Sequence, residues 1–127
     1  MGYYTYHYMH IYDVREGDYN NFASDEDVEK IMKFFQAHCE DANYALEEDG
    51  SGADSSKWYE SEQDMAFISS FFPGFLFALH GDGDDREDQW TCFGLNGKSY
   101  VEQVEFVYPV FDVEILNYNH EIKKKKS

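Results

Sequence analysis

Five carboxylates, Asp82, Asp84, Asp85, Glu87 and Asp88, crowd into the run GDGDDRED at positions 81–88. Oxygen-rich clusters of this kind can hold calcium. The spacing here lacks the glycine at loop position six and the distal bidentate glutamate of an EF-hand. A magnesium site would need substrate phosphates as well, and no phosphate-binding loop is visible. The expectation is therefore a solvated loop with no metal ligand set and no cofactor, whose further use is as a negative patch facing a basic partner.

The histidines are His7, His10, His38, His80 and His120. A metal triad needs three to converge, and no H-E-x-x-H or similar pattern supports one. His80 ends an apolar run beside the acidic loop, where neighbouring carboxylates are expected to raise its pKa. That makes His80, Asp82 and Trp90 the centre of a second reading, a small-ligand or metal-binding site. Paired carboxylates for glycosidase-type chemistry need a fixed separation in a cleft, which nothing in the sequence selects. No G-x-S-x-G, P-loop or G-x-G-x-x-G fingerprint occurs, and the acids after Gly81-Asp82-Gly83 would repel phosphate. Tyr3, Tyr4, Tyr6 and Tyr8 resemble a base-stacking platform, but the basic groove that accompanies one is missing. Tyrosines in a strand also suit a protein interface. A third reading is thus an oligomeric structural or immunity-type protein that uses this strand as an edge. No catalytic signature is present, and the expectation is a non-enzyme.

The 127 residues fit one domain, and aromatics at 19 % supply a core despite 28 % charged residues. The net charge of −16 is the outlier. Over residues 1–120 it is more extreme: 25 acids face six bases (Arg15, Lys30, Lys33, Lys57, Arg86 and Lys98), a net −19. Such a body repels nucleic acid and anionic membrane and attracts basic surfaces. The chain begins without an apolar signal segment and has no run approaching the ~20 residues of a membrane span. A cytoplasmic protein is expected. Its two cysteines, Cys39 and Cys92, lie in no C-x-x-C pair, so they are expected to be reduced and buried, with a disulfide open only if they lie close.

The elements that must position these residues follow from periodicity. Tyr4 to Tyr12 alternates with period two and reads as a strand. Ser24 offers an N-cap, and Val28, Ile31, Met32, Phe35 and Cys39 follow at helical spacing, giving a helix over about 24–40. Asn43 to Glu47 is a candidate short strand, and Glu48 to Ser56 a loop. Ser55 or Ser56 can cap a second helix, Lys57 to Phe71, which Pro73-Gly74 ends. Its buried stripe is expected to be Trp58, Met65, Ile68 and Phe72. Phe75 to His80 is apolar on both faces and reads as a central strand. Gln89 to Leu95 and Ser99 to Tyr108 flank Asn96-Gly97, a type I′ hairpin signal. Phe111, Val113 and Ile115 alternate once more as a possible last strand. The order β-α-β-α-β-β-β predicts an α+β two-layer sandwich, a mostly antiparallel sheet with two helices on one face. Residues 1–118 form its single domain, and 119–127 are expected to be a flexible lysine-rich tail.

The segment W58-Y59, E62, D64-M65, F72-P73-G74-F75-L76-F77, G81-D82-G83-D84, D88-x-W90 and N96-G97-K98 resembles small uncharacterised α+β proteins of phages and prophages. By composition the chain is also similar to acidic anti-CRISPR and anti-restriction inhibitors that imitate the charge of DNA. The resemblance implies a phage-type inhibitor acting in the host cytoplasm. Its acidic surface would occupy a basic nucleic-acid-binding groove on a host defence protein, with no direct contact to nucleic acid or membrane. The candidate contacts are Asp82, Asp84, Asp85, Glu87 and Asp88, with Glu47, Glu48 and Asp49 next.

Overall fold

Alternation in the first strand and the apolar run at 75–80 place two strands side by side. The computed structural model describes residues 5–83, 89–103 and 110–126, with side chains as far as 119. The elements are β1 (Tyr6–Asp13), α1 (Asp25–His38), α2 (Glu40–Ala45), α3 (Ser61–Phe71), β2 (Phe75–Asp82), β3 (Gln89–Leu95), β4 (Lys98–Gln103) and α4 (Val113–Lys126). The strands form one antiparallel sheet in the order β1-β2-β3-β4, so the fold is α+β.

The register decides which face each side chain joins. Met9 sits opposite Leu79 and Ile11 opposite Phe77. These residues and Cys92 pack against Ile31, Met32 and Phe35 of α1 and Met65 and Ile68 of α3. Burying each large apolar side chain there stabilises the fold by about 1.5–3 kcal/mol. The alternate residues Leu76, Ala78, Phe93, Leu95 and Tyr100 form a second core with Leu116 of α4. β2 is therefore buried from Phe75 through Gly81, as its doubly apolar sequence predicts. The β3–β4 hairpin turns at Asn96 and Gly97 with φ of 51° and 85°, the positive values that a type I′ turn requires.

The structure corrects several expectations. The short strand at Asn43 to Glu47 is mostly the end of α2, where Ala42 and Ala45, three apart, face the core. Only Leu46 bridges, to Gly52. The second long helix begins at Ser61, not Lys57. Ser56 is instead bridged to Thr5, and the N-cap is Glu60, whose side chain makes no capping bond. Trp58 is buried from the preceding loop, with Nε1 donating to Asp64 at 2.7 Å. The last expected strand is replaced by α4. Asp112 Oδ1 accepts from the Glu114 amide at 2.8 Å, an N-cap geometry that outweighs three alternating apolar residues. Residues 119–126, expected as tail, continue α4. The two-layer picture becomes three helices on one face of the sheet and α4 on the other. Tyr100 Oη accepts from the Asp112 amide at 2.9 Å, and Lys98 Nζ donates to Asn117 at 2.9 Å, which ties α4 to β4. The expected strand beyond Gln103, to Tyr108, lies outside the described residues.

Candidate functional site

β1 is an edge strand, and two straps cover parts of its outer side. One strap leads into α1. The Asp13 amide donates to Asn21 O at 2.8 Å and the Ala23 amide to Ile11 O at 3.0 Å. Ser24 then accepts from the Asp27 amide at 3.2 Å and starts the helix, which places Asp25 and Glu29 on its first turns beside the strand. The other strap is the tight turn after α2. The Glu47 amide donates to Ser51 O at 2.8 Å, the Gly50 amide to Glu47 O at 3.0 Å, and the Met9 amide to Gly50 O at 2.7 Å. Gly50 has φ of 88°, and a Cβ there would collide with the Met9 carbonyl, so only glycine fits. Further along, Thr5 and Ser56 exchange backbone hydrogen bonds of 3.0 and 2.9 Å.

Between the straps lies a groove of about 470 Å³. Met9, Ile11, Ala23 and Val28 give it an apolar floor. Asp25 and Glu29 from α1 and Glu48 and Asp49 from the turn stand at its rim, with His10 and Phe22 at one end. Phe22 is 63 % exposed, stacks on Tyr12 at 4.9 Å and meets His10 edge-on at 5.8 Å. Burial lowers the His10 pKa, which keeps the ring neutral near pH 7.

The rim is anionic. Ser51 donates its hydroxyl to Asp49 at 2.6 Å and its amide at 2.9 Å, and both bonds hold that carboxyl below its ordinary pKa. Glu29 pairs with Lys33 at 2.8 Å, and this bond lowers the Glu29 pKa. Lys33 is raised by Glu29 first and by Glu48 as well. Asp25 and Glu48 form no ion pair with a cation among the described residues. Four carboxylates thus surround an apolar floor, one of them, Glu29, paired with Lys33. Such an arrangement suits a cation with an apolar stem and repels anions.

The sequence-derived contact residues divide. Glu48 and Asp49 line the groove, and Glu47 lies next to it in a shallow depression shared with Gln36, Tyr44 and Asp54. Asp82 ends β2 and accepts from Gln89 at 3.0 Å. It pairs with Tyr6, at the other end of β1 from the Met9 to Ile11 stretch, and does not line the groove. Asp84, Asp85, Glu87 and Asp88 lie outside the described residues. Asp25, Glu29, Phe22 and His10 were missed as site residues. The acids at 25–29 begin α1, where they complement the helix dipole, and nothing local in the sequence pairs them with 47–49.

His80, Asp82 and Trp90 do not form one site. Trp90 packs on Gly81 and lies 5.6 Å from the His7 ring, on the face toward α1 and α3. His80 is on the other face, stacked on Tyr8 at 4.7 Å and hydrogen-bonded through Nδ1 to Thr91 at 2.9 Å. Its pKa is not raised but lowered to about 4, by burial first and by His10 second. Gly81 and Asp82 extend the strand past His80, so the ring lies inside the pairing rather than at a loop mouth. Among the described residues no group of three or more His, Cys, Asp or Glu is placed to hold a metal. Cys39 and Cys92 are free and buried, and burial raises both thiols, Cys39 to about 12. Neither is poised as a nucleophile. No helix among the described residues is long and apolar enough to cross a membrane. No family model, curated protein or solved structure matches the chain.

Proposed function

We propose that the chain is a non-enzymatic, phage-type inhibitor that lays its carboxylates into the basic nucleic-acid groove of a host defence nuclease, in the manner of acidic anti-CRISPR and anti-restriction proteins. The supporting observation is the convergence of acids from two separate segments, 25–29 and 48–49, on one groove in which Lys33 pairs with Glu29 alone. The body around it carries an acidic excess that favours encounter with a basic surface. The groove joins the 82–88 run among the candidate contacts.

The test is competition for nucleic acid on purified defence nucleases of the restriction and CRISPR types. The expected outcome is displacement of DNA or guide RNA by the chain, weakening about tenfold or more as salt rises from about 50 to 200 mM, because exposed charge pairs are screened. Displacement that ignores salt, or none from any nuclease tested, would remove the reading.

A further inference from the structure

Resting on that reading, we propose that the groove between β1, α1 and the 47–50 turn is the seat of one arginine side chain presented by the basic partner. Val28, with the thinly exposed edges of the buried Met9, Ile11 and Ala23, gives the groove an apolar lining that suits an aliphatic stem rather than a hydrated ion. A bare divalent cation would keep its water and gain nothing from that surface. Phe22, left 63 % exposed at the end of the groove, offers a ring face on which a flat guanidinium can stack. Glu48 and Asp25 stand at the rim with no direct ion pair among the described residues, although Lys33 acts on Glu48 from a distance. Their oxygens can accept from a planar fork of donors, a geometry an ammonium group lacks. Burial lowers the pKa of His10, the other ring at that end, which disfavours its cationic form. Charge complementarity therefore selects a cationic occupant, the apolar floor selects one with a long stem, and the aromatic end selects arginine over lysine.

The experiment titrates the whole ¹⁵N-labelled chain with three capped tripeptides that differ only in a central arginine, lysine or citrulline. The arginine peptide should shift the amides of Phe22, Ala23, Glu48, Asp49 and Gly50 in a saturable way. The lysine peptide should bind several-fold more weakly and the citrulline peptide should leave those amides in place. Phe22→Ala and the double variant Asp25→Asn with Glu48→Gln, all at exposed positions, should each weaken the arginine peptide about tenfold while leaving the rest of the spectrum unchanged. Shifts spread over every acidic segment, equal binding of lysine and arginine, or no shift at all would overturn the proposal. So would sedimentation showing a dimer that disperses when residues 123–126 are deleted, because the occupant would then be the lysine run of a second copy. The two readings fail separately. Nuclease competition that survives the double variant rejects the arginine seat alone. Peptide binding at the groove without nuclease competition rejects only the inhibitor reading.

Discussion

His7 shows what one buried residue costs and how it can be measured. It is 1 % exposed, lies edge-on to Trp58 at 5.3 Å and Trp90 at 5.6 Å, and neither ring nitrogen has a hydrogen-bond partner among the described residues. A buried polar group left unpaired costs about 1–3 kcal/mol. Burial also drives its pKa down to about 4 from an ordinary 6.5. The unfolded chain therefore binds a proton that the folded chain refuses between pH 6.5 and 4. The stabilising share of the neutral ring is complete above pH 6.5 and is lost as pH falls through that window. His80, lowered to about 4, adds in the same direction. Urea unfolding of the parent should show stability falling from pH 6.5 to 5, before carboxylate protonation begins to relieve repulsion. His7→Leu should be about 1 kcal/mol more stable at pH 7, and its slope should be shallower by up to about 1.4 kcal/mol per pH unit. An unchanged slope would mean that the ring already titrates normally in the folded chain.

At the scale of elements, the turn after α2 carries the groove. It holds Glu48 and Asp49 through two constraints on Gly50, a φ of 88° and the contact with the Met9 carbonyl. Gly50→Ala should lower stability by about 2 kcal/mol through strain at the left-handed backbone and overpacking against β1. It should also move the amide signals of Met9 and Asp49 together in a heteronuclear spectrum. Gly17 has the same φ with nothing within 4 Å of its Cβ position, so Gly17→Ala carries the strain without the clash. The difference between the two urea midpoints isolates the contact with Met9, and equal losses would show that the strap does not press on β1.

For the whole molecule, charge is the governing quantity. Three ion pairs occur among the described residues, Arg15 with Asp13 and Asp27 and Lys33 with Glu29. All are exposed, so each contributes little. Most of the acidic excess therefore acts as mutual repulsion in the folded state, which simple salt screens. The melting temperature should rise by several degrees between about 20 and 500 mM sodium chloride, because ~1 kcal/mol moves a chain of this size by about 4 °C. A melting temperature independent of salt would show that the acids are already compensated by close cationic neighbours.

Residue order by itself determined the local elements: Ser24 and the stripe at 28, 31, 32, 35 and 39 predict α1, Pro73-Gly74 its counterpart's end, and Asn96-Gly97 the hairpin. Each signal is written within a few residues, in caps, breakers and periods. Short apolar stretches without such punctuation misled it, as at 43–47 and 111–115, because two or three alternating residues fit a helix turn as well as a strand. Only the tertiary structure decided that α4 covers the second face of the sheet, that Trp90 and His80 lie on opposite sides of it, and that acids at 25–29 meet those at 48–49. Those outcomes depend on strand register and on which segments close over the edge of β1, and such long-range pairings leave no mark on the spacing of neighbouring residues.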